Sequence, residues 1–220
     1  MVKIQGTPIL SHIVDAYNAV GIKDIVVVRG YKKAAVNLPN LTYVDNDDFA
    51  DTGELDSLLK ALRSRKGPAQ STVVSYGDVL FNKYIPQSLC QETDDCVIFV
   101  DSNWQEQSSY ARLGGFTECT IPNSRRAFNA KIYLKQLGDT LPKESIHGVW
   151  MGFLKVSPNA VKLITDIIVE MLAKPANRKA GIPQLLQELL IRQYPIRVLY
   201  TAGHWLDINS IEDVVQAGNF

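Results

Sequence analysis

The chain has 220 residues, 46% of them apolar and 21% charged, with 23 Lys and Arg balancing 23 Asp and Glu. That length supports one domain, residues 1–220, with a buried core, and the even charge gives no electrostatic case for a nucleic-acid or membrane-surface partner. No apolar run reaches the ~20 residues of a membrane span and no signal peptide is visible; three cysteines, Cys90, Cys96 and Cys119, lack metal-ligand spacing and fit a reducing cytoplasm as small core hydrophobes.

"TPILSHIVDAYNAVGI" sets Ile9, Ile13, Ala16, Tyr17 and Val20 at helical spacing, with Gly21 as the stop. "DIVVVRGY" (24–31) follows as a continuous β-branched run, the mark of a parallel strand covered on both faces. "LTYVDN" (41–46) is a second strand. "GELDSLLKALRSRK" (53–66) is an amphipathic helix with Leu55, Leu58, Leu59 and Leu62 inward. "STVVSYGDVLF" (71–81) reads as a strand, "NKYIPQSLCQE" (82–92) as a short helix and "DCVIFVDSNW" (95–104) as a further buried strand.

Between 105 and 147 the pattern loosens into short strands and turns and reads as a β-rich insertion. "HGVWMGFLKVS" (147–157) is a strand, and "PNAVKLITDIIVEMLA" (158–173) a long helix with proline in its first turn. A helix (182–193), a strand (196–203) and a closing helix from Ser210 complete the chain, Ser210 and Asp213 forming a cap pair. The alternation of strand and helix predicts an α/β fold: a Rossmann-like, three-layer, mostly parallel sheet.

In such sheets ligands bind beyond the carboxyl ends of the strands. Asp78 follows "VVSYG" and Asp101 follows "VIFV", so both carboxylates fall at such ends. Paired carboxylates with substrate phosphate oxygens are the usual way to hold Mg²⁺. The plainer reading of either Asp is a turn cap after a strand.

Five segments in order add to this: "KIQGTPILSHIVDAYNAVGIKDIVVVRGYK", "DTGELDSLLKAL", "VVSYGDVLF", "HGVWMGFLKVS" and "GHWLDINSIEDVVQAG". Together they resemble the sugar-phosphate nucleotidyltransferase-like superfamily. The nearer likeness is to phosphonate and phosphocholine cytidylyltransferases, above all the domain often fused to phosphoenolpyruvate phosphomutase. The resemblance implies Mg²⁺-dependent cytidylyl transfer from CTP to a small phosphonate or phosphate such as 2-aminoethylphosphonate. Alternatives are a sugar-phosphate or phosphocholine nucleotidyltransferase and an inactive regulatory domain. It implies Asp78 and Asp207 as the metal ligands, and Gly53, Glu54 and Gly77 on the nucleotide side. On the acceptor side it implies Asp101, Trp104, Arg125, Arg126 and Trp150, with 105–147 as the inserted acceptor segment. Val149 stands where relatives often carry an acid. The first strand, glycine-rich loop and lysine of that superfamily have no counterpart here; by alignment of Gly6 and Pro8 the lysine is expected upstream of Met1, which predicts a truncated and impaired chain.

Overall fold

The computed structural model describes residues 1–106, 115–127 and 130–218. A small hairpin, β1 (Lys3–Ile4) and β2 (Thr7–Pro8), leads into helix α1 (Ile9–Ala19). Strands β3 (Val26–Arg29) and β4 (Thr42–Asp45) pair in parallel as a sheet of their own. Then come α2 (Glu54–Ser64), β5 (Thr72–Val74), β6 (Val79–Phe81), α3 (Tyr84–Gln91) and β7 (Cys96–Asp101). The second half carries β8 (Phe116–Cys119), β9 (Ile132–Leu137), β10 (Gly148–Val156), α4 (Pro158–Leu172), α5 (Ile182–Ile191), β11 (Arg197–Thr201), β12 (Trp205–Asp207) and α6 (Ile211–Ala217). All six helices expected from apolar spacing are present, and none is long and apolar enough to cross a membrane among the described residues.

The central sheet runs β5-β10-β7-β11-β9-β8. It is mixed. β5, β7 and β11 point the same way, while the nine-residue β10 lies between β5 and β7 and runs against both. The expected parallel pairing therefore survives in β7–β11 and β3–β4. The segment 105–147, of which residues 107–114 and 128–129 lie outside the described set, does not stand apart: β8 and β9 extend the main sheet.

Side-chain alternation on β7 creates the layers. Ile98 and Val100 point into one core with α2, α4 and α5; Val97 and Phe99 point into the other with α1 and α3. Ser157 caps α4, accepting from the Ala160 amide, and Pro158 fills the first turn where no donor is needed. Ser210 and Asp213 form the reciprocal cap of α6, so Asp substitutes for the usual Glu or Gln.

Two expectations change. The single strand over 71–81 is broken: β5 belongs to the central sheet, β6 pairs with β12, and Ser75–Asp78 make the turn between them. β3, whose composition predicts full burial, is half-buried along its whole length. Its edge away from β4 meets a cavity instead of another strand.

Gly53 shows how tightly the start of α2 is held. A Cβ there would sit 2.4 Å from the Ala180 carbonyl oxygen and 2.4 Å from the Lys179 carbonyl carbon, both backbone atoms. Gly53→Ala is expected to destabilise the protein by about 1–3 kcal/mol, the usual cost of overpacking. Gly77→Ala, which meets nothing within 4 Å, is expected to stay within about 0.5 kcal/mol. Urea unfolding of the pair checks the contrast.

Candidate active site

Pairing of β6 with β12 sets the geometry. Val79 lies opposite Asp207, and the Asp78 carbonyl accepts from the Ile208 amide at 2.9 Å. Residues 78 and 207, far apart in sequence, thus end up one step apart across two strands. Asp207 is buried and Asp78 exposed. Burial pushes the Asp207 carboxyl up to about 6, and the charges of Asp78 and Asp213 add to the push. The Asn209 side-chain amide donates to Asp207 and partly opposes it. The Asp78 carboxyl is raised too, by desolvation first and by Glu54 second. Among the described residues no Lys or Arg contributes to either shift.

Glu54 is a hub that spacing alone does not reveal. Its Oε2 accepts from Tyr76 Oη at 2.8 Å and from the Ile182 amide at 2.9 Å. The second bond places the carboxylate at the positive end of α5, where an anion is favoured. Glu54 therefore joins the first turns of α2 and α5 to the turn that carries Asp78. Tyr76 lies edge-on to Trp150, 5.7 Å between ring centres. Gly152 makes room for it: at φ +81°, a Cβ there would stand 2.5 Å from the Tyr76 ring. Tyr76 was legible only as a neighbour of Asp78, and Gly152 carried no spacing signal.

The acceptor-side candidates divide. Asp101 is not at the mouth of the site. It is fully buried, accepting from the amides of Asn103 (2.9 Å) and Gly203 (3.1 Å) and from Trp205 Nε1 (2.8 Å). It thereby ties the end of β7 to the turn before β12 and positions Asp207 through Trp205. Trp150 also fills core, its Nε1 donating to the Phe153 carbonyl at 2.8 Å. Both corrections have one cause: a polar tip that finds partners inside is not left for a ligand. Trp104 is half-buried with its ring on Phe116, and Arg125 and Arg126 are exposed on a short 3-10 turn. On the nucleotide side Gly77 faces open space, whereas Gly53 serves backbone packing. His147 accepts from the Cys119 amide through Nδ1, and His204 is exposed with its ring edge-on to Tyr84.

A polar cavity of about 510 Å³ adjoins Glu54, with Asp139, Lys179, Gln184 and Gln187 on its walls. Among the described residues no group of three or more His, Cys, Asp or Glu forms a metal cage. A pair of carboxylates is nevertheless a sufficient protein share for Mg²⁺, which keeps waters and takes phosphate oxygens.

The MobA-like NTP transferase domain family matches residues 1–152, more than half of the chain, and the chain belongs to that family. Members are nucleotidyltransferases. Among solved structures, a CTP:phosphocholine cytidylyltransferase from Streptococcus pneumoniae is similar at 15% identity and a TM-score of 0.70, over 99% of this chain and 87% of that one. An inositol-1-phosphate CTP transferase from T. maritima gives 13% and 0.73, over 99% and 84%. A UDP-glucose pyrophosphorylase complexed with UDP-glucose gives 15% and 0.72, over 100% and 88%. At such identities the likeness is one of fold. No curated protein matches the chain significantly.

The raised Asp207 carboxyl has a consequence for stability. Its value is 3.8 in an unperturbed chain and about 6 when folded, so the folded state holds the proton more tightly. The stabilisation is complete below about pH 4 and is lost as pH rises through about 6. In metal-free buffer, unfolding titrations are expected to show stability falling across this window. Asp207→Asn is expected to flatten that slope and to be the more stable protein at pH 7. An unchanged slope in the variant would show that Asp207 is not the group responsible.

Proposed function

We propose that this nucleotidyltransferase moves a cytidylyl group from CTP to a small phosphonate or phosphate, with 2-aminoethylphosphonate the favoured acceptor in phosphonate biosynthesis. The observation that carries the reading is the juxtaposition of Asp78 and Asp207 by the β6–β12 register. Support for the base comes from the sequence resemblance and from two fold relatives whose names specify CTP.

An oxygen of the acceptor attacks the α-phosphorus of CTP. One P–O bond forms, the bond to the bridging oxygen of the β-phosphate breaks, and pyrophosphate leaves with that electron pair. No covalent intermediate on the protein is needed, only in-line placement and charge neutralisation. Asp78 and Asp207 would hold Mg²⁺, which supplies Lewis-acid neutralisation of the phosphate oxygens. Their raised carboxyls suit that role, because two crowded carboxylates lose their mutual repulsion when a cation lies between them. Glu54, held by Tyr76 and by the start of α5, keeps the floor of the site in place beneath them. Trp104, with Arg125 and Arg126, remains for the acceptor: an aromatic face suits an ammonium and guanidinium groups suit a phosphonate.

A sugar phosphate is the second reading. It is favoured by the polar cavity beside Glu54, where Gln184 and Gln187 offer amides to hydroxyl groups.

The test is pyrophosphate release with CTP, Mg²⁺ and three acceptors, namely 2-aminoethylphosphonate, phosphocholine and a hexose 1-phosphate. The expected order puts the phosphonate first. Asp78→Asn is expected to lower kcat/KM by at least about 100-fold, as loss of charge stabilisation in a site of this kind does. Preference for the hexose phosphate would transfer the assignment to the second reading, and full turnover by Asp78→Asn would remove the metal pair from the reaction.

A further inference from the structure

Side chains hold the turn that carries Asp78. The Asp78 carbonyl accepts from the Ile208 amide, but among the described residues no bond between backbone groups reaches Ser75, Tyr76 or Gly77. A segment without such bonds is loose unless something else ties it down. Two phenols do so. Tyr17 Oη donates to Ser75 Oγ at 2.8 Å, and Tyr76 Oη donates to Glu54 Oε2 at 2.8 Å. The first bond comes from α1 on one face of the sheet, the second from the start of α2 on the other.

Both rings are seated by their surroundings. Tyr17 is buried, and its ring lies edge-on to Phe81 with 5.3 Å between centres. One side chain of α1 therefore meets the chain on both sides of the turn, at Ser75 at its start and at Phe81 of β6 beyond its end. Burial raises the Tyr17 phenol, so its hydroxyl stays a donor. The Tyr76 ring lies against a bulge in β10, where pairing with β7 shifts register between Trp150 and Leu154. Gly152 sits within that shift at φ +81°, and the Trp150 indole donates across it to the Phe153 carbonyl. Bulges re-aim what lies beside them, and this one opens the space that the Tyr76 ring fills.

We propose that Tyr17 and Tyr76 are positioning residues for the divalent cation: their hydroxyls fix the turn 75–78 from opposite faces of the sheet and so keep the Asp78 carboxylate against Asp207. The proposal rests on the reading of Asp78 and Asp207 as metal ligands given above, and neither tyrosine is asked to touch the ion or the nucleotide. A buried phenol takes some partner in any protein. A positioning role differs from plain satisfaction in that both phenols converge on one four-residue turn, three residues of which have no backbone bonds of their own among the described residues. Preorganisation is the physical link, because apparent affinity falls with the fraction of molecules whose site is competent. Loss of one hydrogen bond of ordinary net strength changes that fraction by up to about fivefold.

The test is Mn²⁺ binding followed by electron paramagnetic resonance, in the presence of a non-hydrolysable CTP analogue, with ¹⁵N relaxation of the metal-free protein beside it. Tyr17→Phe and Tyr76→Phe keep the rings and lose the hydroxyls. Each is expected to weaken Mn²⁺ by about two- to fivefold, and the double variant by about tenfold or more. Backbone order parameters at 75–78 are expected at about 0.85 in the unaltered protein and below about 0.6 in the double variant. Ser75→Ala removes the acceptor of Tyr17 and is expected to match Tyr17→Phe, the two changes together doing no more than either alone. Tyr43→Phe is the control. It deletes a phenol bond of the same kind, to the Leu38 carbonyl at 2.7 Å and outside the turn, and is expected to leave Mn²⁺ affinity unchanged. Absence of any Mn²⁺ site at Asp78 and Asp207 in the unaltered protein would sink the metal reading and the positioning role with it. A site there that the double variant keeps at full affinity, that Tyr43→Phe weakens as much, or whose turn stays equally ordered without the two hydroxyls would overturn the positioning role alone.

Discussion

The site depends on one constraint: three residues of β6 paired antiparallel with three of β12. This short ribbon lies outside the central sheet, and it alone brings the turn at Asp78 against the end of β12 at Asp207. So short a ribbon would be marginal by itself. It is anchored by Phe81, Leu80, Trp205 and Leu206 in the core shared with α1 and α3. It is anchored again by Asp101, whose buried carboxylate holds Trp205 and the preceding turn. A carboxylate removed from water that accepts from at least three donors among the described residues fixes position well, because each bond is charge-assisted and leaving any unmade is costly. The sheet thus delivers its rigidity to β12 through Asp101.

The electrostatics of the site follow from what surrounds these carboxylates. Burial raises the Asp207 carboxyl, with the charge of Asp78 adding to it, and desolvation with the charge of Glu54 raises that of Asp78. Among the described residues the donors that meet these carboxylates and Glu54 are neutral: a phenol, an amide side chain and backbone N–H groups. Such a cluster repels a triphosphate until cations intervene. A divalent ion between Asp78 and Asp207 would answer that need.

Much of this was legible in the sequence, for identifiable reasons. The six helices followed from apolar residues at 3.6 spacing, and the central strands from runs such as "VIFVD". Asp78 could be named because a carboxylate at a strand end is a local pattern, and Asp207 because "GHWLDINSIEDVVQAG" resembles a superfamily segment. What failed was non-local. Nothing in "VVSYGDVLF" says that the chain leaves one sheet after Val74 and enters another at Val79. Nothing in "VIFVD" tells an exposed Asp101 from one satisfied by Trp205 across the fold. Gly152 gave no signal within the strand read over 147–157, whereas its φ of +81° and the ring of Tyr76 make it a point of close approach. Antiparallel insertion of β10 was likewise invisible, since a fully buried strand reads the same in either direction.

The central claim is that Asp78 and Asp207 act as one divalent-cation site. Mn²⁺ titration followed by electron paramagnetic resonance tests it most directly, because bound and free ion are distinguished without any substrate turnover. One tight site per chain is predicted for the unaltered protein in the presence of a non-hydrolysable CTP analogue. Each single replacement, Asp78→Ala and Asp207→Ala, should abolish that site, and the double replacement should do no more than either alone. A site that survives one replacement intact, or that is lost additively in two steps, would contradict a shared ion.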